Sequence, residues 1–143
     1  MSKTNVRVAE RGCDHIDDEA FVAAFEALEI APMDFRHREH VRLAFAMLRG
    51  ADFGAAAARF KRALVTFAAS VGAAGKYHET LTLAYVALVG ERMQAEAYSS
   101  SLEFIERNPD LLDHRSGAIS QYYDVAAITA CPIARRVFVL PRR

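Results

Sequence analysis

Three histidines and one glutamate are spaced so that they could converge on one site. His37 and His40 lie three residues apart, and a second segment places His78 directly before Glu79. A helix advances about 100° per residue, so the first pair shares one helical face. Imidazole nitrogens and carboxylate oxygens from facing helices are suitable ligands for a transition-metal ion. The spacing therefore predicts a metal-binding site or an acid–base site.

Both histidine segments direct their rings toward apolar neighbours. On a helical wheel, His37 shares an arc of roughly 140° with Val41 and Ala44, and His78 is flanked by Leu81 in the same way. An imidazole inside an apolar core is costly unless it has a partner. Each ring is also expected in a first helical turn, where the helix dipole disfavours its protonated form. A neutral imidazole can bind a metal or act as a general base.

We therefore predict that His37, His40 and His78 bind one transition-metal ion, with Glu79 as a further ligand or as the general base. Iron, zinc, copper and manganese all suit such a nitrogen-rich set. The predicted function is a metal-dependent reaction on a small molecule at an open coordination position.

Three alternatives remain open for the histidines. One is a metal-free pocket that performs acid–base chemistry or binds a ligand. Another is a non-catalytic helical module that binds a small ligand or a partner. The third is a scaffold or oligomerising protein whose core histidines only form hydrogen bonds within the fold. His15 and His114 are expected in solvent-facing turns and carry no predicted chemistry.

Three further side chains are candidates for the same site. Tyr85 lies two turns beyond His78 on the same face, so its hydroxyl could orient a ligand as a catalytic residue. Arg92, seven residues later, could bind an anionic substrate through two parallel hydrogen bonds. Tyr77 is a substrate-binding candidate. The simpler interpretations are a buried tyrosine with one hydrogen bond and an arginine paired with a carboxylate.

Composition excludes several classes of function. The chain has 143 residues, of which 52% are hydrophobic, and its 18 basic residues balance its 18 acidic ones. Nucleic acid is not an expected partner, because phosphate neutralisation needs a basic face. No apolar run approaches the ~20 residues that span a bilayer, and no signal peptide is predicted. Only two cysteines occur, far apart, so the expected location is the cytoplasm.

Hydrophobic periodicity predicts a single all-α domain, with residues 1–14 as a mobile lead-in. Asp17 and Asp34 are the expected N-caps of the first two helices. The expected architecture is a helical bundle with short C-terminal helices and an extended tail at 137–141. An apolar patch on the first or third helix could form a homodimer. The four main helices are predicted at 17–29, 34–49, 53–71 and 76–97.

Two sequence blocks resemble those of a known family. The F-x-H-x-x-H block at 35–40 and the K-Y-H-E-T block at 76–80 are similar to the signature blocks of a family of small, uncharacterised bacterial proteins. Residues 134–141 are similar to the C-terminal block of that family. The family has no established activity, so the resemblance implies no reaction. It does imply that the two histidine blocks act as one unit.

Overall fold

The computed structural model describes residues 12–142, and within that range the chain forms α-helices, short 3-10 turns and no β-strand. The predicted all-α class is confirmed. Most of the predicted lead-in, residues 1–11, lies outside the described residues. The helices are α1 Asp18–Glu26, α2 His37–Leu48, α3 Phe53–Ser70, α4 Glu79–Ala95, α5 Ser101–Arg107, α6 Val125–Ala130 and α7 Pro132–Arg136.

Helix α2 lies at the centre of the fold. It packs against α1, α3, α4 and α5, and its Leu43 and Val41 side chains are almost completely buried. Its Arg42 is also fully buried, where the guanidinium donates to Ser101 Oγ and to the carbonyls of Cys13 and Ile16, each at 2.7 Å. This arginine attaches the chain before α1 and the start of α5 to the central helix.

Short polar side chains begin several of the helices. The Asp17 carboxylate accepts a hydrogen bond from the backbone N–H of Ala20 at 2.8 Å, which confirms it as the cap of α1. Asp52, Ser100 and Asp124 cap α3, α5 and α6 in the same way. Each cap satisfies a backbone donor that has no partner inside its helix.

Helix α2 does not begin where the sequence predicts. Asp34 was the expected N-cap, but it belongs to a 3-10 turn, Pro32–Asp34, and the helix begins at His37. Proline favours the start of such a turn because its φ is already fixed. The Glu39 carboxylate instead accepts from the backbone N–H of Arg36, the actual N-cap, at 3.1 Å.

Helix α4 also begins later than predicted. A separate 3-10 turn, Ala74–Lys76, precedes it, and its N-cap is His78. The apolar periodicity of the predicted helix 53–71 also places Phe53 and Val71 on its buried face, and the structure contradicts this for both residues. Phe53 is 50% exposed and Val71 is 41% exposed, because only the middle of that helix is covered by its neighbours.

The C-terminal tail lies on the helices as an extended segment, as predicted. The Thr80 hydroxyl donates to the Val137 carbonyl at 2.8 Å and accepts from the Val139 N–H at 3.0 Å. The Tyr123 hydroxyl donates to the Val139 carbonyl at 2.8 Å. Over residues 12–142, none of the helices has the length and apolarity needed to cross a membrane.

Candidate functional site

The candidate site is a cavity of about 960 Å³ between α2, α3, α4 and the C-terminal helices. Phe60, Leu64 and Leu81 form part of its apolar wall. A volume of this size is within the range of small-molecule sites. The uncharged polar side chains on its wall are His37, His40, Thr82, Tyr85, His114 and Thr129, and the charged ones are Lys76, Arg115 and Arg135.

His37 is the first residue of α2, and its ring is held in one neutral form. Its Nε2 lies 2.9 Å from the Leu111 carbonyl oxygen. Because a carbonyl can only accept, Nε2 carries the proton. Burial, assisted by nearby His114, lowers the pKa of His37. In this neutral ring Nδ1 is an acceptor, and it has no hydrogen-bond partner among the described residues.

His40 lies one turn further along α2 and presents a second acceptor. Its Nδ1 donates to the Arg36 carbonyl at 2.9 Å, and its ring lies 4.3 Å from that of Phe35. Burial lowers the pKa of His40 to about 4. The ring is therefore neutral at pH 7, and its Nε2 is the unprotonated nitrogen. The ring centroids of His37 and His40 are 6.3 Å apart.

Tyr85 brings a hydroxyl to the same wall. Its ring meets the His37 ring edge-on, with centroids 4.6 Å apart. Among the described residues, its hydroxyl is the one buried side-chain polar atom without a hydrogen-bond partner. Burial raises its pKa, so the phenol keeps its proton. A buried unpaired polar group costs about 1–3 kcal/mol, so a bound molecule would gain most by bonding to it.

His114 is a cavity residue that the sequence did not indicate. Its ring centroid lies 5.2 Å from that of His37, although the residue is exposed as expected for a turn. The turn is held by Asp113, whose carboxylate accepts from the backbone N–H of Arg115 and Ser116. No pattern in the local sequence predicts that this turn packs against α2.

His78 does not line the cavity. As the N-cap of α4, its Nδ1 accepts from the Leu81 N–H at 3.1 Å, and its Nε2 donates to the Ile128 carbonyl at 2.8 Å. Both ring nitrogens are therefore engaged by the backbone. The ring links the start of α4 to α6, whose Val125 and Thr129 line the cavity. His78 therefore helps to position the α6 part of the wall without lining the cavity itself.

Glu79 and Tyr77 belong to a separate polar network. The Tyr77 hydroxyl donates to the Glu79 carboxylate at 2.8 Å, and Lys61 pairs with the same carboxylate at 2.9 Å. Burial and the adjacent carboxylate raise the pKa of Tyr77. Neither residue is part of the cavity wall. This network connects α3 to the start of α4.

Arg92 is likewise engaged elsewhere. Its guanidinium donates to both Asp110 carboxylate oxygens, at 2.7 and 3.0 Å, and to Asn108 Oδ1 at 2.8 Å. Hydrogen bonding to Asp110 raises the pKa of Arg92. The pair stabilises the turn Pro109–Leu111, which supplies the carbonyl partner of His37. This arrangement matches the simpler of the two interpretations offered for Arg92.

The residues predicted to hold a metal ion divide between two places. His37 and His40 share the cavity, whereas His78 and Glu79 have other partners. Within residues 12–142, no group of three or more His, Cys, Asp or Glu side chains is arranged to hold a metal ion. The predicted four-residue set does not fit one ion in this arrangement. The metal ion stays a prediction.

Comparison with known proteins adds no relative. The chain matches no family model, no curated protein and no solved structure. The resemblance of its two histidine blocks to a bacterial family therefore stays a prediction.

Proposed function

We propose that the protein binds a small organic molecule in the histidine-lined cavity. The observation that carries this proposal is the buried Tyr85 hydroxyl, which has no partner in the described part of the chain and lies beside the neutral His37 ring. It is one of the alternatives that the sequence leaves open. A lining whose area is mostly apolar, with polar groups at defined points, is typical of small-molecule sites.

The hydrogen-bonding groups of the cavity restrict the ligand. His37 Nδ1 and His40 Nε2 are acceptors in the neutral rings, so they suit hydroxyl or amine donors on the ligand. The Tyr85 hydroxyl can donate or accept. Phe60 and Leu64 favour an apolar body between these polar points. We infer a molecule of modest size with at least one hydrogen-bond donor at the end that faces His37 and His40.

We also infer that a bundle of the four main helices provides a rigid frame for this cavity. Fixed helices hold binding groups more precisely than loops do. The two histidines come from α2 and Tyr85 comes from α4, so the polar groups converge from separate elements. Enzymatic turnover of the ligand stays a prediction from the sequence, as does its dependence on a metal.

A ligand-observed NMR screen of small aromatic and heteroaromatic compounds tests the proposal. We expect hits whose affinity falls about fivefold or more in Tyr85→Phe, since one hydrogen bond contributes about 1 kcal/mol. Ala126→Trp should abolish the same hits by filling the cavity, because Ala126 lines it.

The matched control is Tyr98→Phe, which removes a hydroxyl that is bonded to Asn108 and is not part of the cavity wall. Binding should be unchanged in this variant. The proposal fails if no compound binds, or if hits persist in Ala126→Trp. Screening with a chelator and again with added zinc or iron separates metal-free ligand binding from the metal-dependent function predicted from the sequence. Hits that require the metal would favour the metal-dependent function instead.

A further inference from the structure

The charge of the cavity wall is one-sided. Lys76, Arg115 and Arg135 line it, and no aspartate or glutamate does. Three carboxylates directly precede wall residues in the sequence, and none of them is part of the wall. Asp113 accepts from backbone N–H groups in its own turn, Glu39 pairs with arginines, and Asp124 caps α6. A bound molecule would therefore meet three cationic side chains and no anionic one.

This one-sided charge contrasts with the rest of the described chain. Most other cations there pair with a carboxylate within 4.0 Å, whereas Lys76, Arg115 and Arg135 form no such pair over residues 12–142. The paired cations are Arg36, Arg38, Arg42, Arg49, Arg59, Lys61, Arg92 and Arg107.

Arg135 is held in place at this wall. Its guanidinium donates to the Gly75 carbonyl at 2.9 Å and to the Thr129 carbonyl at 3.1 Å. These carbonyls fix the position of the group but leave its positive charge uncompensated. A cation held in this way interacts with an anion without first losing the freedom of a long side chain. It is a suitable anchor for a carboxylate or a phosphate.

We propose that the ligand of this cavity is anionic, with a carboxylate or phosphate group near Arg135, Lys76 and Arg115. This inference rests on the proposed binding function. The apolar body would extend along Leu64 and Leu81, which line the same cavity. Neutral histidine nitrogens are acceptors and repel an anion, so the charged group lies at the cationic side and the donor groups lie at the histidines.

Three probes with the same ring and the same hydroxyl donor at its far end test the charge requirement: hydroxynaphthoate, hydroxynaphthyl phosphate and hydroxynaphthamide. Exposed ion pairs are individually weak, but three cations line the cavity, so both anions should bind about tenfold more tightly than the amide at low salt, a difference of about 1.4 kcal/mol. The difference should shrink as salt is added, because exposed charges are screened. A larger preference for phosphate than for carboxylate would identify the doubly charged group as the better match.

Two variants and a control assign the effect to the named cations. Lys76→Gln/Arg115→Gln and Arg135→Gln should each weaken both anions several-fold and leave the amide unchanged. Arg62→Gln is the control, since Arg62 is exposed on α3 and does not line this cavity. The Lys76 and Arg115 side chains form no hydrogen bond described within residues 12–142, so the double variant should fold normally. It therefore still tests the inference if Arg135→Gln is unstable.

The possible failures are distinguishable. If the amide binds as tightly as the anions, the ligand is not selected for charge, and the cavity remains a binding site. If none of the three probes binds up to its solubility limit, both this inference and the proposed function are contradicted. An equal loss in Arg62→Gln would show that the charge effect is unspecific and would overturn the assignment to the cavity.

Discussion

Replacing His78 with alanine distinguishes a structural histidine from a metal ligand. The side chain is only 7% exposed, and both ring nitrogens bond to backbone groups. The Leu81 N–H and the Ile128 carbonyl would each lose their partner in the variant. If this role is correct, the variant loses stability in the complete absence of metal.

The expected loss follows from those two contacts. Removing a helix N-cap costs about 1 kcal/mol. Leaving the partly buried Ile128 carbonyl without a donor costs about 1 kcal/mol more, and the lost ring packing adds a similar amount. We therefore expect His78→Ala to lower the free energy of unfolding by about 2–3 kcal/mol. Since a domain is stabilised by roughly 5–15 kcal/mol, the loss is readily measured.

Urea unfolding followed by circular dichroism, with a chelator present throughout, is the appropriate assay. His78→Asn should recover about 1 kcal/mol, because asparagine is a good N-cap but cannot reproduce the second contact. His15→Ala is the control, since that residue is exposed, and it should change stability by less than about 0.5 kcal/mol.

The reasoning is refuted if His78→Ala costs less than about 0.5 kcal/mol in chelator, a change typical of a surface substitution. If the same variant then loses stability only relative to metal-loaded wild-type protein, His78 is a metal ligand. The prediction that His78 binds a metal ion would be supported, and its hydrogen bonds to Leu81 and Ile128 would not be its main role.

Two further predictions concern charged or titratable groups in the interior. Arg42→Met should lower the free energy of unfolding by about 3 kcal/mol or more, measured by urea unfolding. The reason is that the Cys13 and Ile16 carbonyls and Ser101 Oγ lose their donor. Arg42→Lys should recover only part of this loss, and full recovery would contradict the role of the forked guanidinium group. The folded state keeps His40 neutral down to about pH 4, whereas the ring has a pKa of 6.5 in the unfolded chain. Between these pH values the unfolded state binds one proton that the folded state does not bind. The free energy of unfolding therefore falls as the pH drops from 6.5 toward 4. His40→Gln should reduce this pH dependence, and an unchanged profile would contradict it.

Local features of the sequence were sufficient for the helical class and for several helix boundaries. Asp17 caps α1 because a short carboxylate beside the first turn can reach its free N–H groups. Apolar periodicity likewise predicted the central part of α3. Predictions failed where two local signals competed. Asp34 has a side chain suited to an N-cap, but Pro32, two residues earlier, favours a 3-10 turn that includes Asp34.

The arrangement of the candidate residues could be predicted only in part, for a similar reason. The wheel placed His37, His40 and Tyr85 toward the interior, and all three line one cavity. It could not show that the Ile128 carbonyl, 50 residues away, occupies one nitrogen of His78. It also could not show that Glu79 pairs with Lys61 and Tyr77 instead of lying beside His37 and His40.

The sequence by itself determined the helical class, the neutral charge balance and the inward direction of the histidines, because these depend on composition and on the period of one helix. Tertiary structure alone decided which polar groups meet. It added His114 to the cavity and buried Arg42 among carbonyls distant in sequence. Hydrogen-bond partners depend on distances of a few ångströms between separate elements, and a local pattern does not specify those distances.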